Sequence, residues 1–394
     1  MMGQRTTSRV RIALGKKLIL GKLSIIKQER TTKSLDSSRY VPTKLLNMTE
    51  TYSFEASRKL SVAPMMEWTD RHCRYFHRLL SKNTLLYTEM INAGAIVHGD
   101  VPRHLRYNAE EHPVALQLGG SEPDKLAIAA RVAEEWGYDE VNINCGCPSE
   151  RVQKGAFGAC LMAEPNLVAD CVKAMLDAVH DSAKTVITVK HRIGINKTED
   201  TPEGYAFVRD FIGTVADAGC QTFIVHARNA WLKGLSPKEN RDIPPLRYEI
   251  VHQLKADFPH LNIVINGGIT TNVQIAEQLI QLDGVMVGRE AYHNPWLLAS
   301  WDETFFDATP QTSTRVTRES IEAHMVTYME REQAAHGTHW APIARHMLGL
   351  RHGMAGSRRW RQVWSDHHLR DLAPRAVMQL AHQAADIHTE IAHA

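Results

Sequence analysis

The sequence predicts a (β/α)8 TIM barrel of the α/β class, followed by an appended C-terminal all-helical domain. Short apolar strands recur from residue 60 onward, amphipathic segments of helical period lie between them, and polar or glycine residues follow each strand. A doubly wound sheet is the alternative, but neither half of the chain has a G-x-G-x-x-G motif after its first strand. These observations favour the barrel.

Hydrophobic periodicity places the individual elements. The predicted strands are residues 60–63, 85–88, 114–118, 140–144, 186–190, 222–226, 262–266 and 284–287. Helices are predicted over residues 124–136, 165–179, 204–218, 248–257 and 271–279. From residue 315 onward the pattern is only helical and contains no lysine. We therefore expect a barrel domain over residues 56–309 and a helical domain over 312–394.

The first 47 residues differ in charge from the rest of the chain. They hold eleven Lys or Arg and two acidic residues, so they carry +9, which leaves −7 for the remainder of a chain whose net charge is +2. This composition resembles a transit peptide. Residues 1–47 are either a basic, disordered leader or a wrongly assigned start, and we favour the second interpretation, with the true start at Met48. A basic surface for nucleic acid must then be local.

The overall composition, with 43% hydrophobic residues, is that of an ordinary globular protein, and no apolar run is long enough to cross a membrane. The six cysteines are scattered and follow no secretory signal, so we expect reduced thiols in the cytoplasm. Cys145 and Cys147 form a Cys-x-Cys pair, but no second pair with ligand spacing accompanies them. We expect neither metal nor membrane binding, and a monomer.

A single turn carries the clearest chemical signal in the sequence. Val141, Ile143 and Cys145 alternate with asparagines as in a strand, and the Gly-Cys-Pro sequence that follows ends the strand abruptly. Cys147 therefore lies at a strand tip, where barrel enzymes perform their chemistry. The alternative is that Cys147 is a small buried hydrophobic residue. Cys145 is expected to face the barrel wall.

The residues at the other strand ends suggest a phosphorylated, negatively charged ligand. Gly267 and Gly268 follow strand 7 and Arg289 follows strand 8, the two places where barrels of this type commonly bind phosphate. Lys190 ends strand 5, where an ammonium group requires an anion. Together with Gln117 and His226, this set favours FMN, although a Schiff-base lysine and a core histidine are the alternatives.

The C-terminal part contains a stretch that suits a nucleic acid. Residues 333–365 include no Asp or Glu. Five arginines are interleaved with three tryptophans there, namely Arg345, Arg351, Arg358, Arg359 and Arg361 with Trp340, Trp360 and Trp364. Arginine binds phosphate and tryptophan stacks on unpaired bases, so the pattern predicts RNA binding. The alternative is a solvated helix face above core tryptophans.

Several exact strings resemble the bacterial tRNA-dihydrouridine synthases, specifically their A subfamily. The strings are SVAPM at 61–65, WTDRHCRY at 68–75, LLYTEM at 85–90, PVALQLGG at 113–120, GCPS at 146–149, GACL at 158–161, LSPKENR at 235–241, INGG at 265–268 and VGR at 287–289. The resemblance covers about residues 56–365. Cys145 and His191 depart from it, since the family more often has an aliphatic residue and Thr at these positions.

The resemblance implies FMN as cofactor, NADPH as reductant and tRNA as partner, with D-loop uridines 20 and 20a reduced to 5,6-dihydrouridine. It implies Cys147 as the proton donor and Asn144 as a contact to uridine or tRNA. The implied FMN-binding residues are Pro64, Met65, Met66, Gln117, Lys190, His226, Asn266, Gly267, Gly268, Gly288 and Arg289. Lys238, Arg241, Arg358 and Arg361 are similar to residues that orient the tRNA.

The implied mechanism agrees with the residues. Hydride passes from N5 of the reduced flavin to C6 of uracil, and C5 then needs a proton. A free thiol has a pKa of about 8.5, so Cys147 can act as a general acid without a shifted pKa. The alternatives are a small-molecule flavin reductase of the dihydroorotate-dehydrogenase kind and a non-catalytic tRNA-binding protein. No motif indicates where NADPH binds.

Overall fold

The computed structural model describes residues 54–181, 184–195, 201–306 and 316–391. The predicted leader at 1–47 lies outside these residues. Eight parallel strands close into a barrel in sequence order. They are β1 (Leu60–Val62), β2 (Leu85–Asn92), β3 (Val114–Gly119), β4 (Glu140–Cys145), β5 (Val186–Arg192), β6 (Thr222–His226), β7 (Asn262–Asn266) and β8 (Gly284–Val287). The predicted barrel is confirmed, and the doubly wound alternative is wrong.

Helices connect the strands and continue after the barrel. Those before residue 200 are α1 (Phe54–Ser57), α2 (Arg71–Leu80), α3 (Ala93–His98), α4 (Val101–Leu105), α5 (Pro123–Glu135), α6 (Glu150–Lys154) and α7 (Pro165–Ala178). The later barrel helices are α8 (Pro202–Asp217), α9 (Tyr248–Asp257), α10 (Asn272–Leu279), α11 (Arg289–His293) and α12 (Trp301–Phe305). The C-terminal helices are α13 (Arg318–His336), α14 (Trp340–Ala344), α15 (Ser357–Trp364) and α16 (Pro374–Ile391).

Four strands extend beyond their predicted ends, β3 and β4 by one residue and β2 and β5 by four and two residues. The pairing of β2 with β3 shifts register between Tyr87 and Met90, which lets β2 continue to Asn92 past the predicted end. β5 continues through Arg192, which pairs with His226 on β6. The extra residues on β5 bring a second cation to the end of the barrel where the predicted site lies.

The helix starts differ from the predictions by one or two residues, for reasons of capping. α5 and α8 begin at Pro123 and Pro202, one and two residues before their predicted starts. Proline suits the first turn because its missing N–H has no helical partner there. Thr271 was predicted as the first residue of α10, but it is the N-cap, and its hydroxyl accepts from the Gln274 N–H.

The barrel buries two separate apolar layers. A large cluster fills the space between the strands and the helices and continues into the C-terminal helices. A smaller cluster inside the barrel includes Leu85, Tyr87, Ile224, Val264 and Met286. Because this inner layer is small, the rest of the barrel interior is left to the polar side chains that form the candidate site.

The C-terminal helices pack directly on the barrel. The ring of Tyr328 on α13 stacks on Tyr75 of α2, with centroids 3.9 Å apart and planes 12° apart. The Tyr328 hydroxyl lies 2.6 Å from Nδ1 of His72, and Arg71 forms an ion pair with Glu332 at 2.9 Å. Both regions therefore contribute to one continuous core, while their division into a barrel domain and a helical domain stays a prediction.

The tryptophans predicted to stack on bases belong to this core, so that part of the RNA prediction is wrong. Trp340, Trp360 and Trp364 are 1%, 0% and 2% exposed. Their rings contact one another edge to face, with centroids 5.6 Å apart for Trp340 and Trp364 and 6.4 Å apart for Trp360 and Trp364. Buried indoles have no face left for a base.

A buried carboxylate holds the C-terminal helices together. Glu322 on α13 is 0% exposed. Its Oε1 accepts from the indole N–H groups of Trp360 and Trp364 at 2.8 and 2.9 Å. Its Oε2 lies 3.2 Å from a guanidinium nitrogen of Arg351 and 2.8 Å from Nε2 of His382. An acidic residue outside the 333–365 stretch thus pairs with an arginine inside it.

No helix among the described residues has both the length and the apolar character needed to cross a membrane. The same residues contain no group of three or more His, Cys, Asp or Glu side chains placed to hold a metal ion.

We expect Glu322→Ala to lower the free energy of unfolding by about 3–5 kcal/mol, because it leaves two buried indole N–H groups and a guanidinium without their acceptor. The measurement is urea unfolding followed by circular dichroism. Glu319→Ala on the same helix is the matched control. Glu319 is 60% exposed, so its loss should cost less than about 1 kcal/mol. Equal losses for the two variants would contradict the anchoring role.

Candidate active site

The inward face of β4 is polar along its length. Glu140, Asn142 and Asn144 point into the barrel, where their side chains form hydrogen bonds to β2, β3 and β5. The residues between them pack outward against the helices. Cys145 is one of these outward residues and is 0% exposed, which confirms that it is a wall residue. β4 therefore separates the apolar wall from a polar interior.

The turn after β4 holds Cys147 from two sides. The backbone N–H groups of Gly146 and Cys147 donate to Oδ1 of Asn144 at 3.1 and 2.9 Å. The Cys147 carbonyl accepts from the N–H of Ala159 at 2.9 Å. Gly158, with φ of 80°, allows this approach, since a Cβ there would lie 2.6 Å from the Cys147 carbonyl oxygen. The partly exposed Cys147 thiol is thus held at the strand tip.

Asn144 also connects this turn to Gln117. Its Nδ2 donates to Oε1 of Gln117 at 2.8 Å, and Nε2 of Gln117 donates to Oδ1 of Asn142 at 2.8 Å. Each Gln117 amide atom retains one further hydrogen-bonding position, whereas Asn144 retains only one N–H. Asn144 was predicted to contact the uridine or tRNA, and the structure adds a second role for it in shaping the Cys147 turn.

Lys190 is a buried ammonium group near the thiol. It pairs with Asn144 across the β4–β5 ladder, and its Nζ donates to Oδ1 of Asn266 at 3.1 Å. Among the described residues no carboxylate forms an ion pair with it. Burial, together with the charge of Arg192, lowers the pKa of Lys190 from 10.5 to about 7. An anionic ligand would stabilise the charged form.

Two consecutive glycines after β7 form a close backbone turn. Gly267 and Gly268 have φ of 118° and 71°. A Cβ would lie 2.7 Å from Cδ2 of His226 at the first position and 2.4 Å from Leu246 at the second. The Gly267 carbonyl accepts from the Tyr248 hydroxyl at 2.7 Å. Only glycine fits both positions, as expected where backbone must approach a ligand.

The predicted phosphate ligand Arg289 lies on the neighbouring loop, directly after Gly288. Its guanidinium donates to Oδ1 of Asp242 at 2.9 Å. Arg289 and Asp242 are 44% and 47% exposed, so this pair is weak and accessible. A phosphate can therefore compete with Asp242 for the same guanidinium.

His226 completes the cationic side of the site. It pairs with Arg192 on one side and Asn266 on the other across the sheet. Burial lowers the pKa of His226 well below its ordinary value, and the charges of Arg192 and Lys190 lower it further. The imidazole is therefore neutral near pH 7 and has one donor and one acceptor nitrogen.

The segment after β1 forms the opposite side of the mouth. Pro64 and Met65 are partly buried, whereas Met66 is 57% exposed. The Met65 N–H donates to the Thr69 hydroxyl at 2.9 Å, and the side chain of Met65 packs against both apolar clusters. An apolar, structured loop thus lies across the mouth from β5, which carries Lys190 and Arg192.

The sequence model of the dihydrouridine synthase (Dus) family matches residues 61–386, which is most of the chain. The chain belongs to the dihydrouridine synthase family. It is 56% identical over 328 residues to a tRNA-dihydrouridine(20/20a) synthase of Pseudomonas putida, covering 83% of this chain and 94% of that protein. It is 55% identical over 312 residues to the protein of the same name from Escherichia coli K12, covering 79% of this chain and 87% of that protein.

Among solved structures, the chain is similar to morphinone reductase with a TM-score of 0.44 and 13% sequence identity. The match covers 64% of this chain and 88% of that chain. A similarity at this level supports no inference about function.

In this family member, the residues predicted to bind tRNA lie in three different places. Asn144 is inside the barrel mouth. Lys238 and Arg241 are exposed on the loop that follows β6. Arg358 and Arg361 are exposed on α15. None of these four cations forms an ion pair within the described part of the chain, which leaves them available to phosphate.

Arg192 is a site residue that the sequence analysis did not single out. Its Nε donates to the Gly146 carbonyl at 3.2 Å. Its NH1 donates to the carbonyls of Asn229 and Asn240 at 3.1 and 2.8 Å. Arg192 therefore ties the Cys147 turn to the loop that carries Lys238 and Arg241. Alternation with Lys190 was the signal that placed it on the inward face.

Asn240 is a second residue that the sequence analysis did not single out. It is 0% exposed, and its side chain accepts from the Trp231 N–H at 2.8 Å. Its amide nitrogen donates to the carbonyls of Trp231 and Leu235 at 3.1 and 3.3 Å. These bonds fold residues 231–240 into a fixed loop. No local sequence pattern predicts this role, because the acceptors are backbone carbonyls that the fold brings together.

The lowered pKa of Lys190 predicts how its replacement changes stability with pH. Burial lowers this pKa from 10.5 to about 7, so the unfolded chain binds the proton more tightly between these values. In protein freed of ligand, Lys190→Met should therefore stabilise most near pH 6, where the wild type holds a buried charge. The gain in stability of Lys190→Met over the wild type should shrink as the pH rises from about 7 and vanish near pH 10.5.

The measurement is urea unfolding of the wild type and the variant at about pH 6, 8 and 10. Lys233→Met, at an exposed position on the loop after β6, is the matched control and should show no such trend. A difference between wild type and Lys190→Met that stays constant with pH would contradict a desolvated Lys190.

Proposed function

We propose that the protein reduces uridines 20 and 20a in the D-loop of tRNA to 5,6-dihydrouridine, with FMN as cofactor and NADPH as reductant. The observation that carries the proposal is the placement of Cys147, at a strand tip beside Lys190 and the paired glycines, in a member of the dihydrouridine synthase family. The names of its relatives supply the tRNA positions. The free cysteines suit a cytoplasmic location, which stays a prediction.

The residues fit a flavin mononucleotide. Gly267 and Gly268 leave room for backbone N–H groups to approach a phosphate, and Arg289 would grip it. Lys190, which has no carboxylate partner in the described part of the chain, would neutralise the anionic edge of the ring. Gln117 has one N–H and one lone pair left for the pyrimidine edge.

The remaining predicted FMN residues surround the same mouth. Pro64, Met65 and Met66 would cover the ring from β1, and His226 and Asn266 would bind it from β6 and β7. Gly288 would give the ligand access to the loop after β8, since a Cβ there meets only Ala63 at 3.8 Å. When bound, the flavin supplies a hydride from N5 to C6 of uracil, and NADPH is the expected source of its electrons.

Cys147 donates the proton that C5 requires. Among the described residues no carboxylate or imidazole forms a hydrogen bond to its thiol, so no base is in place to make it a nucleophile. The charges of Lys190, Arg192 and Arg241 act on the Cys147 sulfur. The thiol at the strand tip is therefore placed to act as a general acid.

Asn144 orients the substrate base. Its carbonyl oxygen is fully occupied by two backbone N–H groups, and its amide nitrogen keeps one free N–H. A fixed donor of this kind suits a carbonyl oxygen of uracil. The uridine must leave its stack to reach this depth, so the bound tRNA presents a flipped base.

The exposed cations supply the tRNA-binding surface. Lys238 and Arg241 stand at the rim on a loop that Arg192 fastens to the Cys147 turn. Arg358 and Arg361 extend the surface onto α15. Such charges bind the phosphate backbone without reading sequence. The surface favours tRNA over the free pyrimidines that a reductase of the dihydroorotate-dehydrogenase kind would use.

The test of the function is tRNA from a strain that lacks the enzyme, incubated with purified protein, FMN and NADPH and then mapped for dihydrouridine by mass spectrometry. We expect products at positions 20 and 20a in the wild type and at least a 100-fold loss in Cys147→Ala, the scale of about 10²–10⁴ for lost acid catalysis. Both proteins should keep the yellow colour of bound flavin.

Cys145→Ala is the matched control, because this thiol faces the wall, and it should retain product formation. Full activity of Cys147→Ala would overturn the proton-donor role. A flavin-bearing wild type that consumes free uracil or dihydroorotate and leaves tRNA unchanged would overturn the function. Protein that binds tRNA without any flavin absorbance would favour the non-catalytic alternative.

Removal of the α15 charges should weaken tRNA binding without affecting the flavin. For the double variant Arg358→Gln/Arg361→Gln we expect about tenfold weaker binding and a salt dependence lowered by roughly 1–2 in the log–log slope. The measurement is a filter-binding titration at several salt concentrations. Arg209→Gln on α8, where the arginine pairs with Asp210, is the control and should bind as the wild type does. Loss of NADPH-driven flavin reduction in the double variant would assign these arginines to another role.

A further inference from the structure

A continuous line of side-chain hydrogen bonds runs through the barrel from its far end to the Cys147 turn. Glu140 accepts from the hydroxyl of Thr188 at 2.6 Å, which accepts in turn from Nδ2 of Asn142 at 2.8 Å. Asn142 accepts from Gln117, and Gln117 accepts from Asn144, both at 2.8 Å. The line therefore joins a buried carboxylate to both amides of the proposed flavin and uracil site.

The upper end of this line can be oriented in only one way. Two backbone N–H groups, of Gly146 and Cys147, donate to the same atom of the Asn144 side chain at 3.1 and 2.9 Å. That atom must be the oxygen, since a backbone N–H can only donate. The nitrogen of Asn144 then faces Gln117, so Gln117 must present its oxygen to Asn144 and its nitrogen to the next amide along the line.

The lower end imposes the same direction. Glu140 pairs with Arg58 at 3.1 Å, and the two side chains are 0% and 3% exposed. An ionised carboxylate accepts hydrogen bonds and cannot donate, so the Thr188 hydroxyl must donate to Glu140. The Tyr87 hydroxyl donates to the same oxygen. Thr188 must then accept from the nitrogen of Asn142, which turns the oxygen of Asn142 towards Gln117.

We propose that Glu140, acting through Thr188 and Asn142, is a positioning residue that fixes the amide orientation of Asn142 and thereby holds Gln117 from the side opposite Asn144. It touches neither ligand, because Asn144 lies four positions further along β4, about 13 Å at roughly 3.3 Å per residue. The inference rests on the proposed function, since it concerns the hydrogen-bonding groups offered to the flavin and the uracil.

Reversal of any amide in the line would place two donors or two acceptors against each other. Buried, unmatched groups of this kind are strongly disfavoured, so the line behaves as a unit. With its lower end anchored, Gln117 offers one N–H and one lone pair at fixed positions, and Asn144 offers one N–H. Without the anchor, Asn142 loses its acceptor at Thr188, and the orientation of Gln117 is held from the Asn144 side alone.

The deciding variant is Thr188→Val, which keeps the shape of the side chain and the Arg58–Glu140 pair but removes the hydroxyl that links Glu140 to Asn142. We expect its FMN dissociation constant, measured by quenching of flavin fluorescence, to rise about tenfold, the effect of one or two lost hydrogen bonds. Thr188→Ser restores the hydroxyl and should bind FMN as the wild type does. Glu140→Gln, which can donate as well as accept, should shift the absorption spectrum of the bound flavin.

The matched control is Thr185→Val, just before β5. The Thr185 hydroxyl is also buried, but it donates to the Tyr138 carbonyl at 2.8 Å and lies outside the line. The two valine variants should lose similar thermal stability, whereas only Thr188→Val should lose FMN affinity. A purely structural role would lower the melting temperature of both and leave flavin binding of the folded protein unchanged.

The outcomes separate the two hypotheses. Unchanged FMN affinity in Thr188→Val would overturn the positioning role, even if the wild type reduces tRNA as proposed. A wild type that binds FMN but leaves tRNA unreduced would overturn the proposed reaction, while the ratio of variant to wild-type affinities would still decide the positioning role. Failure of the wild type to bind FMN would overturn both.

Discussion

The need to pair every polar group inside a closed barrel governs the arrangement of this site. The interior of the barrel excludes bulk water, so an amide or carboxylate there needs a protein partner or a ligand. Glu140, Asn142 and Asn144 on β4 meet this need through side chains on β2, β3 and β5. At the mouth, Gln117 and Asn144 keep unused hydrogen-bonding positions, and this is where a ligand can bind.

The same constraint explains why cations gather at the mouth. Lys190 and Arg192 lie on one strand, β5, and Arg289 lies at the start of α11. The Arg192 guanidinium donates hydrogen bonds to three backbone carbonyls, so its role is structural. Among the described residues, Lys190 has only the amide oxygen of Asn266 as a partner, so its charge favours an anionic ligand. Two cations two residues apart therefore have different functions.

The C-terminal region shows how far a local pattern can mislead. The absence of acidic residues over 333–365 suggested that its arginines and tryptophans form one RNA-binding surface. Glu322 on α13 instead binds Arg351 and the indoles of Trp360 and Trp364 from outside that stretch. The tryptophans fill the core, and only the exposed arginines of α15 remain for a phosphate backbone. Counting charged residues within one stretch of sequence does not reveal ion pairs with residues from distant segments.

The sequence by itself determined the barrel, the positions of all eight strands to within a few residues, and the places of Cys145 in the wall and Cys147 in the turn at the strand tip. These features depend on short-range periodicity and on Gly and Pro in turns, which act within a few residues. Only the tertiary structure decided the partners of Asn144, Arg192, Asn240 and Glu322, because each partner lies on another element. Their burial and pairing depend on packing between distant segments, which no local pattern records.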